Sequence, residues 1–142
     1  MTPRPAPERP PVRLLLVDDS PWQREGWTVL LGSQPDLEVV GQAGDGAQAL
    51  ALLRREHVDV VLMDIQMPRV NGFVATERIL ADERVREQGA PPRIILLASV
   101  DLDDHVAAAA QAGAYAVLYK DTDPEALFSV IRDAAHGPSV VE

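Results

Sequence analysis

Three motifs in this chain close an apolar run with charge: RLLLVDDSP on Asp18 and Asp19, VDVVLMDIQMP on Asp64, and AVLYKD on Lys120. Two adjacent carboxylates repel each other and resist desolvation, so a neighbour must neutralise them or use them. Mg²⁺ can do both, because it takes an octahedron of oxygens, keeps several waters, and needs only one or two carboxylates and a backbone carbonyl from the protein. A carboxylate can act as the nucleophile toward a phosphoryl group, with the metal and a lysine stabilising the group in transfer. Singly, each residue has an ordinary explanation: Asp19 as a helix cap, Asp64 as the start of a turn, Lys120 as a solvated charge. Together at one edge of a sheet, they form the set that phosphoryl transfer to a carboxylate requires.

The elements that must position them follow from pattern. Short β-branched or leucine-rich runs predict strands over 12–18, 37–43, 58–64, 93–98 and 116–119, three of them apolar almost throughout, as in a parallel sheet covered on both faces. Helix signals fill the intervals at 21–31, 46–56, 72–83, 103–112 and 123–136. In the last, Thr122 or Asp123 caps, Pro124 suits the first turn, and Leu127, Val130, Ile131 and Ala134 form one apolar face before Gly137-Pro138. Five strand-then-helix units predict a doubly wound α/β fold, a five-stranded parallel sheet with helices on both faces. Right-handed crossovers place ligands beyond the carboxyl ends of such strands. Asp18, Asp19, Asp64 and Lys120 all fall there.

Composition narrows the classes. The 142 residues, 46% of them hydrophobic, suit one domain with a true core, and 22 acidic against 13 basic residues give a net charge of −9. That charge opposes non-specific attraction to nucleic acid or anionic membrane and favours cations or basic partners. No cysteine is present, which excludes disulfides and thiolate chemistry. The runs LLLV, VVLM and IILLA are far shorter than the ~20 residues that span a bilayer, and the N-terminus has no apolar signal region. A cytoplasmic protein with no membrane partner is expected. Residues 1–11, with five prolines, are expected to form an extended leader.

With these residues in place, the chain resembles the response regulator receiver domains of bacterial two-component signalling, over about residues 12–137. VDDS is similar to the acidic pair, VDVVLMDIQMPRVNG to the phosphoacceptor strand and loop, and LYKD to the lysine strand; PDLEVVGQAGDGAQAL resembles the NarL/LuxR class in particular. The Asp64-Ile65-Gln66-Met67-Pro68 run with Gly72 eight residues after Asp64 is the specific part. The resemblance implies sheet order 2-1-3-4-5, Asp64 as phosphoacceptor, and Mg²⁺ held by Asp18, Asp19, Asp64 and the backbone carbonyl of Gln66. It also implies Lys120 as the phosphoryl partner and a sensor histidine kinase as donor. Proline at 68 would stiffen the loop, and glycine at 72 would let the chain turn into the third helix. The class continues into a helix-turn-helix DNA-binding domain, so residues 138–142 are expected to be a tail or the start of a linker. DNA contact would then belong to a domain outside this chain. A homodimer through the fourth and fifth helices with strand five, or through the first and fifth helices, is a further expectation.

Two positions depart from the family pattern. An ungapped count back from Lys120 puts Ala98, not a serine or threonine, at the end of strand four; Ser99 lies one residue late and is expected to face away. The aromatic residue three positions before the lysine is Val117, with Tyr115 and Tyr119 expected to flank it on the same strand face. These departures raise an alternative, an atypical receiver acting as a phosphorylation-independent binding module. A phosphatase of the haloacid dehalogenase type, a different class, would have a second aspartate two residues after its nucleophile; here Gln66 stands there. Gly41, Gly44 and Gly46 form neither a dinucleotide fingerprint nor a P-loop. Trp22, Trp27 and Ala107 to Ala110 are read as packing residues, and His57, His105 and His136 as solvated.

Overall fold

The computed structural model describes residues 10–137; most of the expected leader and all of the expected 138–142 tail lie outside the described residues. Strands β1 (Val12–Val17), β2 (Leu37–Ala43), β3 (Val60–Asp64), β4 (Arg93–Ala98) and β5 (Ala116–Tyr119) alternate with helices α1 (Pro21–Gly32), α2 (Gly46–Leu53), α3 (Gly72–Ala81), α4 (Glu83–Glu87), α5 (Leu102–Ala112) and α6 (Pro124–His136). All neighbouring strands run parallel in the order β2-β1-β3-β4-β5. The doubly wound sheet expected from the strand–helix alternation is the one formed.

Side-chain alternation along the central strands supplies two cores. Leu14, Leu16, Leu62, Ile95 and Leu97 point to one face, where Leu31 of α1 and Leu127, Phe128, Ile131 and Ala134 of α6 cover them. Leu15, Val17, Val61, Met63, Ile94, Leu96 and Ala98 point to the other, under Ala49 and Leu53 of α2, Ala75 and Ile79 of α3, Val85 of α4 and Ala109 of α5. Burying each large aliphatic side chain contributes roughly 1.5–3 kcal/mol, which is why near-continuous apolar strands end up at the centre of the sheet. Ile131, wholly buried, is a position where truncation to alanine should cost about 2–5 kcal/mol.

Local chemistry sets the helix ends. Ser20, Asp45, Asn71 and Asp82 cap α1 to α4, each accepting from a backbone N–H in the first turn. Asp82 also corrects the expected single helix over 72–83. It leaves helical geometry at ψ 124°, accepts from Val85 N at 3.1 Å and pairs with Arg54, the residue that caps the end of α2, at 2.6 Å, so α3 stops and the short α4 starts. At α6 Leu127, Ile131 and Ala134 of the expected apolar face are buried, Val130 is half-buried, and Pro124 occupies the first turn, but Asp123 makes no side-chain cap bond.

Candidate functional site

The sheet changes direction of winding at β1: α1 leads from it across one face, and α2 returns to β3 across the other. The crevice this leaves lies at the carboxyl ends of β1 and β3. Asp18 follows β1 directly and Asp64 closes β3, and both are buried, while Asp19 is exposed. One carboxylate oxygen from each of the three lies within 4.8 Å of the others, a spacing that one small cation can span. Donor type agrees, since the ligands are hard oxygens, without histidine or sulfur.

Lys120, just beyond β5, donates from Nζ to Asp64 Oδ2 at 2.9 Å and lies 3.3 Å from Asp18 Oδ2. Gln66 N donates to Asp64 Oδ1 at 3.1 Å, and Ser20 N to Asp18 Oδ1 at 2.9 Å. Burial pushes the Asp64 carboxyl above its ordinary range, although the Lys120 ammonium and the Gln66 N–H both pull it down. Burial alone would lower the Lys120 ammonium, but the hydrogen bond to Asp64 and the charges of Asp64 and Asp18 outweigh it and raise it. One lysine therefore only partly offsets the charge gathered here. The arrangement favours a cation, and then an incoming phosphoryl group whose oxygens Lys120 can hold.

The loop after Asp64 is tightly folded. Val70 N donates to Pro68 O at 2.8 Å across Arg69, whose φ is 72°, the geometry of a γ-turn in its strained form. Met67 is buried at its start and Gly72 at its end. Gly72 has no positive φ, which corrects the expected reason for the glycine: a Cβ there would lie 2.7 Å from Asp64 O, 2.9 Å from Ile65 Cα and 3.1 Å from Leu96 Cδ2. Close approach to the strand that carries Asp64, not freedom to turn, requires it.

At the adjacent corner, Ala98 pairs with Tyr119 in the ladder, Lys120 N donates to Ala98 O at 2.9 Å, and the Ala98 methyl is buried. Ser99 is exposed beyond the strand end, and Val117 packs against the same core as Ala98. Of the two tyrosines, Tyr119 keeps Val117's side of β5 and Tyr115 does not. Tyr115 precedes β5 and packs in the opposite core beneath the Arg93 guanidinium, while Tyr119, 42% exposed, accepts from Leu102 N at 3.3 Å.

Other sequence readings also need correction. Trp22 is 85% exposed and packs no core, whereas Trp27 does pack under the α1 face. Within the run Ala107 to Ala110 only Ala109 is buried. His57 Nε2 lies 2.9 Å from Asp59 Oδ1, and the His105 ring lies 5.7 Å from that of Phe73, so neither is merely solvated. Sequence reasoning missed Arg24, whose guanidinium donates to the Asp18 carbonyl. Its signal was a cation one turn into a helix that starts at an acidic pair.

Comparison with known proteins agrees with this geometry. The family model for the response regulator receiver domain matches residues 14–132. The nitrate/nitrite response regulator NarP of Escherichia coli is 39% identical over 134 residues, covering 94% of this chain and 60% of NarP. The transcriptional regulatory protein YxjL of Bacillus subtilis is 39% identical over 131 residues, 91% of this chain and 56% of that protein, so this chain spans little more than half the length of such relatives. Among solved structures, the signal receiver domain of the putative response regulator NarL from Mycobacterium tuberculosis superposes with a TM-score of 0.79 at 33% identity, covering 92% of this chain and all of that one. A doubly wound sheet with buried acids and a lysine at its carboxyl edge, matched along nearly its whole length by these regulators, makes this chain a member of the response regulator receiver domain family, of the NarL/LuxR type.

Proposed function

We propose that the chain is the phosphoacceptor part of a two-component response regulator, with Asp64 as the residue phosphorylated by a sensor histidine kinase. The observation that supports this best is the buried Asp64 carboxylate, 2.9 Å from Lys120 Nζ and within 4.8 Å of Asp18 and Asp19. An Asp64 oxygen attacks phosphorus, the bond from phosphorus to the donor's imidazole nitrogen breaks, and that nitrogen recovers a proton from solvent. Lys120 stays with the phosphoryl oxygens as charge moves onto them. Asp18, Asp19, Asp64 and the Gln66 carbonyl would hold Mg²⁺, which supplies charge neutralisation for the transferring group. Water later cleaves the acyl phosphate, so the domain is a slowly self-resetting switch rather than an enzyme acting on other substrates. Its relatives' names support a role in transcriptional control. A cytoplasmic location fits that role, and no described helix is long and apolar enough to cross a membrane.

Intact mass after incubation with acetyl phosphate and Mg²⁺ tests the reading. One added phosphoryl group, absent in Asp64→Asn, is the expected result; equal labelling of that variant, or turnover of many organic phosphates, would overturn it.

A second reading rests on Ala98 and Val117. The buried Ala98 methyl offers no hydroxyl to a phosphoryl oxygen, and Val117 offers no aromatic ring to fill space near it. The binding-module alternative, in which this surface recognises its partner without phosphate, follows from that pair. Amide NMR with beryllofluoride separates the two. Large saturating shifts from Leu97 through Ala112, unchanged in Ala98→Thr/Val117→Tyr, favour the ordinary switch, and small shifts that the double substitution enlarges favour the module.

A further inference from the structure

Asp18 is held at four points. Its N–H donates to Ala43 O at 3.1 Å, its carboxylate takes Ser20 N and Lys120 Nζ, and its carbonyl accepts from Arg24 Nη1. The fourth contact controls more than Asp18, because the peptide joining residues 18 and 19 is planar. Fixing its oxygen fixes the direction of the Asp19 N–H and of the chain entering Asp19, which is exposed.

Arg24 is itself fixed. Its Nε donates to Gln42 Oε1 on β2 at 3.2 Å, Gln42 Nε2 donates to Thr28 Oγ1 at 3.1 Å, and Thr28 Oγ1 donates to Arg24 O at 2.7 Å. This closed ring joins one face of α1 to the edge strand and aims the guanidinium at one carbonyl. A planar fork is well matched to this geometry, because two acceptors in different directions are held by one rigid group. We propose that Arg24 is a positioning residue for the acidic pair, locking the Asp18–Asp19 peptide so that Asp19 reaches the cation shared with Asp18 and Asp64. The proposal rests on the metal reading above only for its second measurement.

The test uses the full chain and the variants Arg24→Met, which keeps the stem, and Arg24→Lys, which keeps one charge but cannot fork. Amide relaxation order parameters are measured at Asp19 and Ser20 without metal, Mg²⁺ affinity by calorimetry, and stability by urea unfolding. Arg24→Met is expected to lower the order parameters at Asp19 and Ser20 and to weaken Mg²⁺ about 10-fold, the scale of one hydrogen bond to a charged group. Arg24→Lys should fall between the native chain and Arg24→Met in both. Should Arg24→Met unfold, Arg24→Lys against the native chain decides the same question. Native order at Asp19 in the variants would overturn the proposal, and stability loss without loss of order would reduce Arg24 to a brace for α1. If the native chain binds no Mg²⁺, the metal reading fails, and the order parameters still decide whether Arg24 locks the peptide.

Discussion

Two neighbouring corners of the sheet's carboxyl edge are built by opposite rules. Where β1, β3 and β5 end, Asp18, Asp64 and Lys120 face one another, and the backbone N–H groups of Ser20 and Gln66 and the Arg24 guanidinium hold the acids and the carbonyl beside them. Where β4 gives way to α5, Ser99 and Val100 are exposed, and Asp101 takes a left-handed conformation at φ 53°, ψ 44° without a side-chain cap bond. Across that second corner runs the Tyr119 hydroxyl contact to Leu102 N at 3.3 Å. The difference teaches where motion is cheap. Like charges held together require over-determined geometry, whereas a segment with few partners opens at low cost.

The hardest blow to the rigid corner is Gly72→Val. Backbone atoms of Asp64 and Ile65 stand where the new side chain must go, and backbone cannot swing aside as a flexible side chain can. A loss of about 3 kcal/mol is expected in urea unfolding, the upper end of ordinary overpacking. Gly26→Ala on α1, where a Cβ meets open space, should instead gain about 0.5 kcal/mol. Equal behaviour of the two would mean that the Asp64 strand end is not tightly packed.

Lys120→Ala comes next. It leaves buried carboxylate oxygens of Asp64 and Asp18 without their cation, at a cost of about 1–3 kcal/mol without metal. The cost should shrink in acid, where the Asp64 carboxylate, pushed up by burial, protonates, so unfolding at neutral pH and near pH 4 are compared. A pH-independent loss would point to packing of the lysine stem.

Asp64→Asn should have the opposite sign. Burial raises the folded-state pKa of Asp64 above its unfolded value, so its favourable contribution is fully present below about pH 4 and is lost as pH rises through the raised value. At neutral pH the ionised carboxylate weighs against folding. The asparagine form should be more stable there, on the order of 1 kcal/mol, with the gain fading in acid. A gain that persists below the carboxylate range would mean that desolvation of Asp64 is not the strain relieved.

Legibility in the sequence followed the same division. Apolar periodicity located every strand to within two residues at the ends, because central parallel strands need continuous hydrophobic runs. Charges at strand ends brought Asp18, Asp19, Asp64 and Lys120 to one place, since a parallel sheet puts all its carboxyl ends on one edge. The break at Asp82 was harder to read, because an aspartate looks alike in sequence whether it ends a helix, starts one or pairs with Arg54. Gly72 was noticed for the wrong reason: a clash with Asp64 O is a tertiary fact that no local spacing carries. Tyr115 was misplaced because the strand begins only at Ala116, so alternation does not extend back to it.

The mildest prediction concerns the loose corner, and compares two aspartates that both begin helices. Asp45 is extended and accepts from Gln48 N at 2.8 Å, so Asp45→Ala should cost about 1 kcal/mol by losing a working cap. Asp101 makes no such bond and sits at positive φ, a region that disfavours residues with a Cβ by up to about 1–2 kcal/mol, less for aspartate than for most. Asp101→Gly removes that strain while raising the entropy of the unfolded chain, and the two effects nearly offset, leaving a gain of at most about 0.5 kcal/mol. Opposite signs for the two substitutions, measured by the same urea titration, would show that α5 starts from a strained and uncapped residue. If Asp101→Gly instead costs as much as Asp45→Ala, the aspartate side chain anchors the loop, and the corner beside the acidic site is as firmly built as the site itself.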